Sequence, residues 1–205
     1  MSVDIRQVFG ESPQVMTDIL QDGVNLAVWQ RRLPAQVEDF ANLVLSLGQP
    51  LADERVIEVD ERHPPALPGL LREAADLHGY DGFVADVAWL VAAYTCLLGA
   101  RRLGVRVRVL DGAMCPRMHV DHVPVRLLST YAGAGSEWLA EGAIDRACLQ
   151  LSLPAVDKVR RLAAGEVALL KGEKWLGNEG AGLVHRSPLT PVGERRLLLS
   201  LDWLA

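Results

Sequence analysis

The sequence predicts an α+β fold, with helices in the first half bracing a barrel or sandwich of short strands in the second. Three observations carry this expectation. Apolar residues recur at helical spacing over residues 36–47, through Val37, Phe40, Val44 and Leu47, and again over residues 70–77. From Gly104 the period shortens to two, because Val105, Val107 and Val109 alternate with Arg106, Arg108 and Leu110 before the turn at Asp111-Gly112. Beyond that turn, short β-prone segments are separated by Gly- and Pro-containing turns.

Taken in chain order, the stretch His63-Pro64-Pro65-Ala66-Leu67-Pro68 stops whatever precedes it and introduces a helical region running to about residue 100. Gly79 and Gly82 are expected to split that region. Further strands are expected over residues 118–123, 125–131, 166–170, 182–185 and 196–203. The organisation expected is one domain over residues 1–205, with 1–103 as mainly helical support and 104–205 as the β core.

At 205 residues, half of them hydrophobic and 23% charged, the chain can bury a sizeable core and contains no low-complexity tract. A formal net charge of −5 with no concentrated basic run argues against a nucleic-acid partner, because phosphate binding needs a cationic face. Residues 1–9 include Asp4 and lack the basic start and apolar run of a secretion signal. The apolar stretch 87–100 is interrupted by Thr95 and falls short of the roughly 20 residues a membrane span needs. A cytoplasmic protein with no membrane partner is expected. Cys96, Cys115 and Cys148 form no Cys-x-x-Cys pair and are odd in number, which points to reduced thiols.

The densest chemistry lies in Cys115-Pro116-Arg117-Met118-His119-Val120-Asp121-His122. In a strand, side chains at i and i+2 share a face, so His119 and Asp121 can converge on one ion while His122 points away. The later histidine His185, in Gly182-Leu183-Val184-His185-Arg186-Ser187-Pro188, completes a set of two histidines and one carboxylate. Three ligands on one face of an octahedral ion leave positions open for substrate, cosubstrate or oxygen, the pattern of non-haem Fe(II) oxygenases.

The stretch from Gly182 to Trp203 resembles the last two strands of Fe(II)/2-oxoglutarate dioxygenases of the prolyl- and phytanoyl-hydroxylase kind. Tyr131-Ala132-Gly133-Ala134-Gly135-Ser136-Glu137-Trp138 is similar to the Gly-rich turn after the His-x-Asp strand of those enzymes. The likeness covers roughly residues 105–205. Over the whole chain, the Cys-Pro-Arg-x-His-x-Asp and His-Arg-Ser-Pro runs resemble a bacterial family of unknown function, DUF1826, a name that brings no activity with it. The first resemblance implies a double-stranded β-helix of the jelly-roll or cupin kind. It also implies Fe(II) as metal, 2-oxoglutarate as cosubstrate and a hydroxylase-type oxidation of an unidentified small molecule or peptide.

It further implies an arginine clamp about one strand after His185, where a guanidinium forms a bidentate pair with the far carboxylate of 2-oxoglutarate. Arg195 and Arg196 both qualify by position. Arg196 is preferred because it shares the more polar strand face with Leu198, Ser200 and Asp202, whereas Arg195 shares a face with Leu197, Leu199, Leu201 and Trp203. By the same likeness Tyr131 would donate its hydroxyl to the cosubstrate. Arg126 is a candidate substrate contact if Pro124 bulges its strand, and Trp138 a candidate pocket rim. Zinc and manganese accept the same donors as iron, so a cupin-like metalloenzyme that does not use 2-oxoglutarate stays open. So does a zinc sensor or carrier closed by Cys115 as a fourth ligand, and a barrel that only binds a partner.

Overall fold

The computed structural model describes residues 4–60, 65–146, 149 and 155–204. Cys148 and part of the Pro-rich stretch lie outside them. Among the described residues, ten strands and two α-helices follow in the order β1 (Arg6–Gly10), β2 (Val24–Trp29), α1 (Ala35–Ser46), β3 (Ala52–Glu58), α2 (Tyr80–Leu98), β4 (Arg102–Leu110), β5 (Val125–Ala132), β6 (Glu137–Leu139), β7 (Val159–Arg161), β8 (Val167–Lys171), β9 (His185–Arg186) and β10 (Arg196–Trp203). Seven strands form a large sheet ordered β1-β2-β8-β5-β10-β4-β3, and β7-β6-β9 form a small one. All pairs in the large sheet are antiparallel except β1 with β2.

Residues 1–103 hold both α-helices, as expected of a mainly helical half, but they also supply three of the seven large-sheet strands. The reason they escape periodicity is visible in each. β2, Val-Asn-Leu-Ala-Val-Trp, is buried on both faces and so carries no alternation. β3 alternates, but its less exposed face is built partly from an ion pair, with Arg55 Nε 2.7 Å from Asp53 Oδ1, rather than from apolar residues alone. Residues 70–77 hold only a short 3-10 turn, Arg72–Ala74.

α1 buries Val37, Phe40, Ala41 and Val44, one stripe at helical spacing, against the large sheet. α2 starts after Gly79, whose positive φ of 84° and contact with the Gln36 carbonyl leave no room for a side chain. It runs through Gly82 without a break. It is long and apolar enough, at 19 residues and mean hydropathy 1.5, to pass for a membrane span by length and composition. In this fold Phe83, Val87, Leu90, Val91 and Tyr94 are buried in the core between helix and sheet. The Tyr94 hydroxyl donates to the Val125 carbonyl at 2.8 Å, tying helix to sheet.

Strand alternation then divides the sheet into two environments. Val105, Val107 and Val109 of β4 and Leu197, Leu199 and Leu201 of β10 face the helices and join the main core. The opposite face carries Arg106, Arg108, Arg196, Leu198 and Ser200, which line a cleft. The small sheet lies over this second face: Trp138 of β6 packs with Leu26, Val28, Leu128, Ala168 and Leu170 of the large sheet. The cleft therefore opens between two sheets, with a polar floor that the alternation of β4, β5 and β10 places there.

Candidate metal centre

His119, Asp121 and His185 converge, with one donor atom from each lying within 4.8 Å of the others. The backbone reaches this arrangement differently from the expected strand over residues 118–123. His119 makes only an isolated bridge to His185, through reciprocal N–H to carbonyl bonds of 3.0 and 2.9 Å, and residues 120–124 are irregular. His185 is held from the other side by β6, where it pairs with Trp138. Close approach of the Asp121 loop depends on Gly172, where a Cβ would meet the Asp121 and Val123 carbonyls at 2.5 and 2.2 Å.

The two rings are oriented alike. Nδ1 of His119 lies 3.0 Å from the Arg117 carbonyl and Nδ1 of His185 lies 3.1 Å from the Leu183 carbonyl. A ring donating through Nδ1 presents a bare Nε2, which is what a metal requires of a neutral imidazole. Those Nε2 atoms sit 3.5 and 3.3 Å from the two oxygens of Asp121.

Asp121 is anchored from behind. Arg126 donates from Nη1 to Asp121 Oδ2 at 2.7 Å and from Nε to Asp202 Oδ1 at 2.6 Å, while Arg106 pairs with the other oxygen of Asp202. Burial would raise the Asp121 pKa, but with a proton in the metal's place on Nε2 of each ring, hydrogen bonds from both histidines and the Arg126 charge outweigh it and hold the carboxyl well below the usual range. The hydrogen bond to Asp121 raises the His119 pKa against the opposing effect of burial. Sequence reasoning missed Asp202 and Arg106, since nothing local to either position announces a partner some eighty to a hundred residues away. Arg126 was expected to need a bulge at Pro124. It needs none, because the chain before β5 has no strand phase to correct.

Arg196 is the most unusual group in the cleft. Its residue is 3% exposed, yet among the described residues no carboxylate meets it. Nη1 and Nη2 reach only the hydroxyls of Ser136 and Ser187, at 3.3 and 3.1 Å, and buried Nε has no partner. Burial pulls its pKa down to about 10. Gly133 brings the Ser136 turn here, for a Cβ at that φ of 84° would lie 2.2 Å from the Arg195 carbonyl.

Three expected contacts take other places. Tyr131 faces the helices, packs edge-on to Phe83 at 4.8 Å and donates to Asp86 Oδ2 at 2.6 Å, so it does not line the cleft. Its odd position in β5, shared with Val125 and Leu127 and opposite to Arg126, is the signal that would have placed it. Arg195 does not line the cleft and lies near Gly48. Trp138 is buried beneath the small sheet with Leu26 and Leu170 rather than at the rim. Cys115 does line the cleft, but among the described residues the converging group is His119, Asp121 and His185 without it. A closed fourth-ligand site at Cys115 is therefore disfavoured by the geometry.

The cleft encloses about 600 Å³, its open mouth included, and is lined by Arg106, Arg108, Arg126, Arg186 and Arg196 with no acidic side chain among its lining residues. Two histidines and a carboxylate beside a cationic cleft define an open, three-ligand candidate metal centre on a mixed α/β scaffold. In fold the chain is similar to a prolyl-4-hydroxylase of Pseudomonas putida, with 14% identity, a TM-score of 0.51, and 96% of this chain and 100% of that one covered. It is similar to a dioxygenase for auxin oxidation in rice, with 12% identity, a TM-score of 0.51, and 98% and 83% covered. No curated protein matches the chain. The chain belongs to the family described as protein of unknown function DUF1826, whose model matches residues 10–202.

Proposed function

We propose that this protein is an Fe(II)- and 2-oxoglutarate-dependent oxygenase whose two sheets correspond to a double-stranded β-helix. The observation that carries the reading is the conjunction of the converging His119, Asp121 and His185 with the unpaired, buried Arg196 in one cleft. The spacing supports it: Ser187, which touches Arg196, lies two residues beyond His185, or about 6.6 Å along an extended chain. That is the span of a short dicarboxylate held by a metal at one end and a guanidinium at the other. Likeness in fold to a prolyl hydroxylase and an auxin dioxygenase is a second, independent support.

In this reading His119, Asp121 and His185 would hold the metal through Nε2, a carboxylate oxygen and Nε2 respectively. Fe(II) with 2-oxoglutarate, when bound, supplies the oxidising chemistry. The chain's residues do the rest. Arg126 fixes the Asp121 carboxylate and keeps it ionised, the Arg117 and Leu183 carbonyls fix the imidazole tautomers, and Ser136 and Ser187 orient the Arg196 fork. Arg196 pairs bidentately with the far carboxylate and ends its own uncompensated burial by doing so.

Calorimetric titration of 2-oxoglutarate into protein loaded with Mn(II), which occupies such sites without oxygen chemistry, tests this. Binding that needs the metal and is lost in Arg196→Ala is expected. Binding indifferent to both, or none in the loaded wild type, overturns the reading.

A further inference from the structure

With 2-oxoglutarate assigned to Arg196, the cleft is still lined by two arginines that neither metal nor cosubstrate uses. Arg106 and Arg108 stand on one face of β4, and both line the cavity that contains His119, His185 and Arg196. Each side chain is 30% exposed. Asp202 serves Arg106 and Arg126 together, so one carboxylate is shared between two cations. Burial lowers the Arg106 pKa, and the charges of Arg126 and Arg108 act in the same direction against those of Glu54 and Asp121.

Glu54, the cross-strand neighbour of Arg106 on β3, shows what the two arginines recognise. One of its carboxylate oxygens accepts from Arg108 Nη2 at 2.6 Å and the other lies 4.0 Å from Arg106 Nε. The Glu54 side chain is 60% exposed, a long flexible group with little else to hold it. An exposed carboxylate thus sits across two of the arginines that line the cleft. A ligand carboxylate delivered from the cleft side has the same geometry to satisfy, and gains more because its other atoms fill the cavity between Met114, Cys115, Leu128 and Leu198.

We propose that the substrate oxidised in this cleft is a small organic acid whose carboxylate is received by Arg106 and Arg108 in place of Glu54. The proposal rests on the oxygenase reading for what happens to the substrate, but the arginine pair can be tested apart from it. The apolar lining beside the pair fits a carboxylate attached to a hydrocarbon or aromatic body rather than a highly polar one.

Benzoate, benzamide and phenyl phosphate, matched in shape and differing in the head group, are titrated calorimetrically into Mn(II)-loaded protein saturated with 2-oxoglutarate. The expected result is that benzoate binds and benzamide does not, that Arg108→Gln weakens benzoate about tenfold through loss of a charge-assisted hydrogen bond, and that Glu54→Gln tightens it by removing the internal competitor. Repeating the titrations on metal-free Arg196→Ala protein reads the pair where no 2-oxoglutarate can bind, so failure of the oxygenase reading and failure of this proposal give different patterns. Benzoate binding no tighter than benzamide, or unchanged by Arg108→Gln, overturns the proposal. Phenyl phosphate binding tighter than benzoate overturns the assignment of a carboxylate.

Discussion

Replacing Arg196 with methionine separates the stability of this fold from its proposed function. The guanidinium is buried with no counter-charge, and burial brings its pKa to about 10 from the ordinary arginine value. At 1.36 kcal/mol for each tenfold change, the charge costs the ligand-free protein about 3 kcal/mol. Two long hydrogen bonds to Ser136 and Ser187 are lost on substitution, leaving hydroxyls beside a thioether, which returns about 1–2 kcal/mol of that. Methionine fills a similar volume without charge, so ligand-free Arg196→Met is expected to be more stable than wild type by about 1–2 kcal/mol. In a chain of this size that is a rise in Tm of about 2–8 °C. Thermal unfolding with and without 2-oxoglutarate in the presence of Mn(II) provides the assay: the wild type is stabilised by the ligand and the variant is not. A variant less stable than wild type by more than about 1 kcal/mol would refute the reasoning, for it would mean that the Arg196 charge is already compensated in the free protein.

Three other outcomes follow from the same geometry. Asp202→Asn removes the carboxylate shared by Arg106 and Arg126, and should destabilise the protein by about 3 kcal/mol in denaturant and weaken metal binding about tenfold by freeing Arg126 from its register with Asp121. Tyr131→Phe removes only the hydroxyl bond to Asp86 on the helix side, so it should cost about 1 kcal/mol of stability and leave 2-oxoglutarate affinity unchanged; a tenfold loss would return Tyr131 to the cleft. The pH dependence has two signs. In metal-free protein Asp121 is held low, so its contribution is present above the ordinary carboxylate pKa and is lost as pH falls toward its depressed value, which weakens the fold below about pH 4. His119 is raised, so its contribution is full below about pH 6.5 and fades as pH rises through its raised value. Metal competes with that proton, and Mn(II) affinity should therefore increase from pH 6 to pH 8; affinity flat over that range would exclude a histidine ligand of raised pKa.

The neighbouring strands β4 and β10 were readable because alternation there has a clear apolar side. Residues 196–203 were expected as a strand and form one, and the division of β10 into a face with Leu197, Leu199 and Leu201 and a face with Arg196, Leu198 and Ser200 is the division between core and cleft. α1 was readable for the same reason at helical period. The convergence of His119 and Asp121 was anticipated from an extended i, i+2 spacing and that of His185 from its being the later histidine, although residues 120–124 are irregular rather than a strand; an extended chain keeps that spacing without a ladder. What escaped was set by partners far away in sequence. β1 and β2 became strands by pairing with each other and with β8, and Asp202 became part of the centre only because β5 places Arg126 beside it. No local pattern encodes either event.

The most direct test of the central claim is spectroscopic. Metal-free protein is given Fe(II) in the absence of oxygen, 2-oxoglutarate is added, and the visible charge-transfer band of a chelated keto acid is recorded for wild type, His185→Ala and Arg196→Ala. The account predicts a band in the wild type that His185→Ala abolishes and Arg196→Ala shifts to much higher 2-oxoglutarate concentrations. No band in the wild type, or one indifferent to both substitutions, would contradict it.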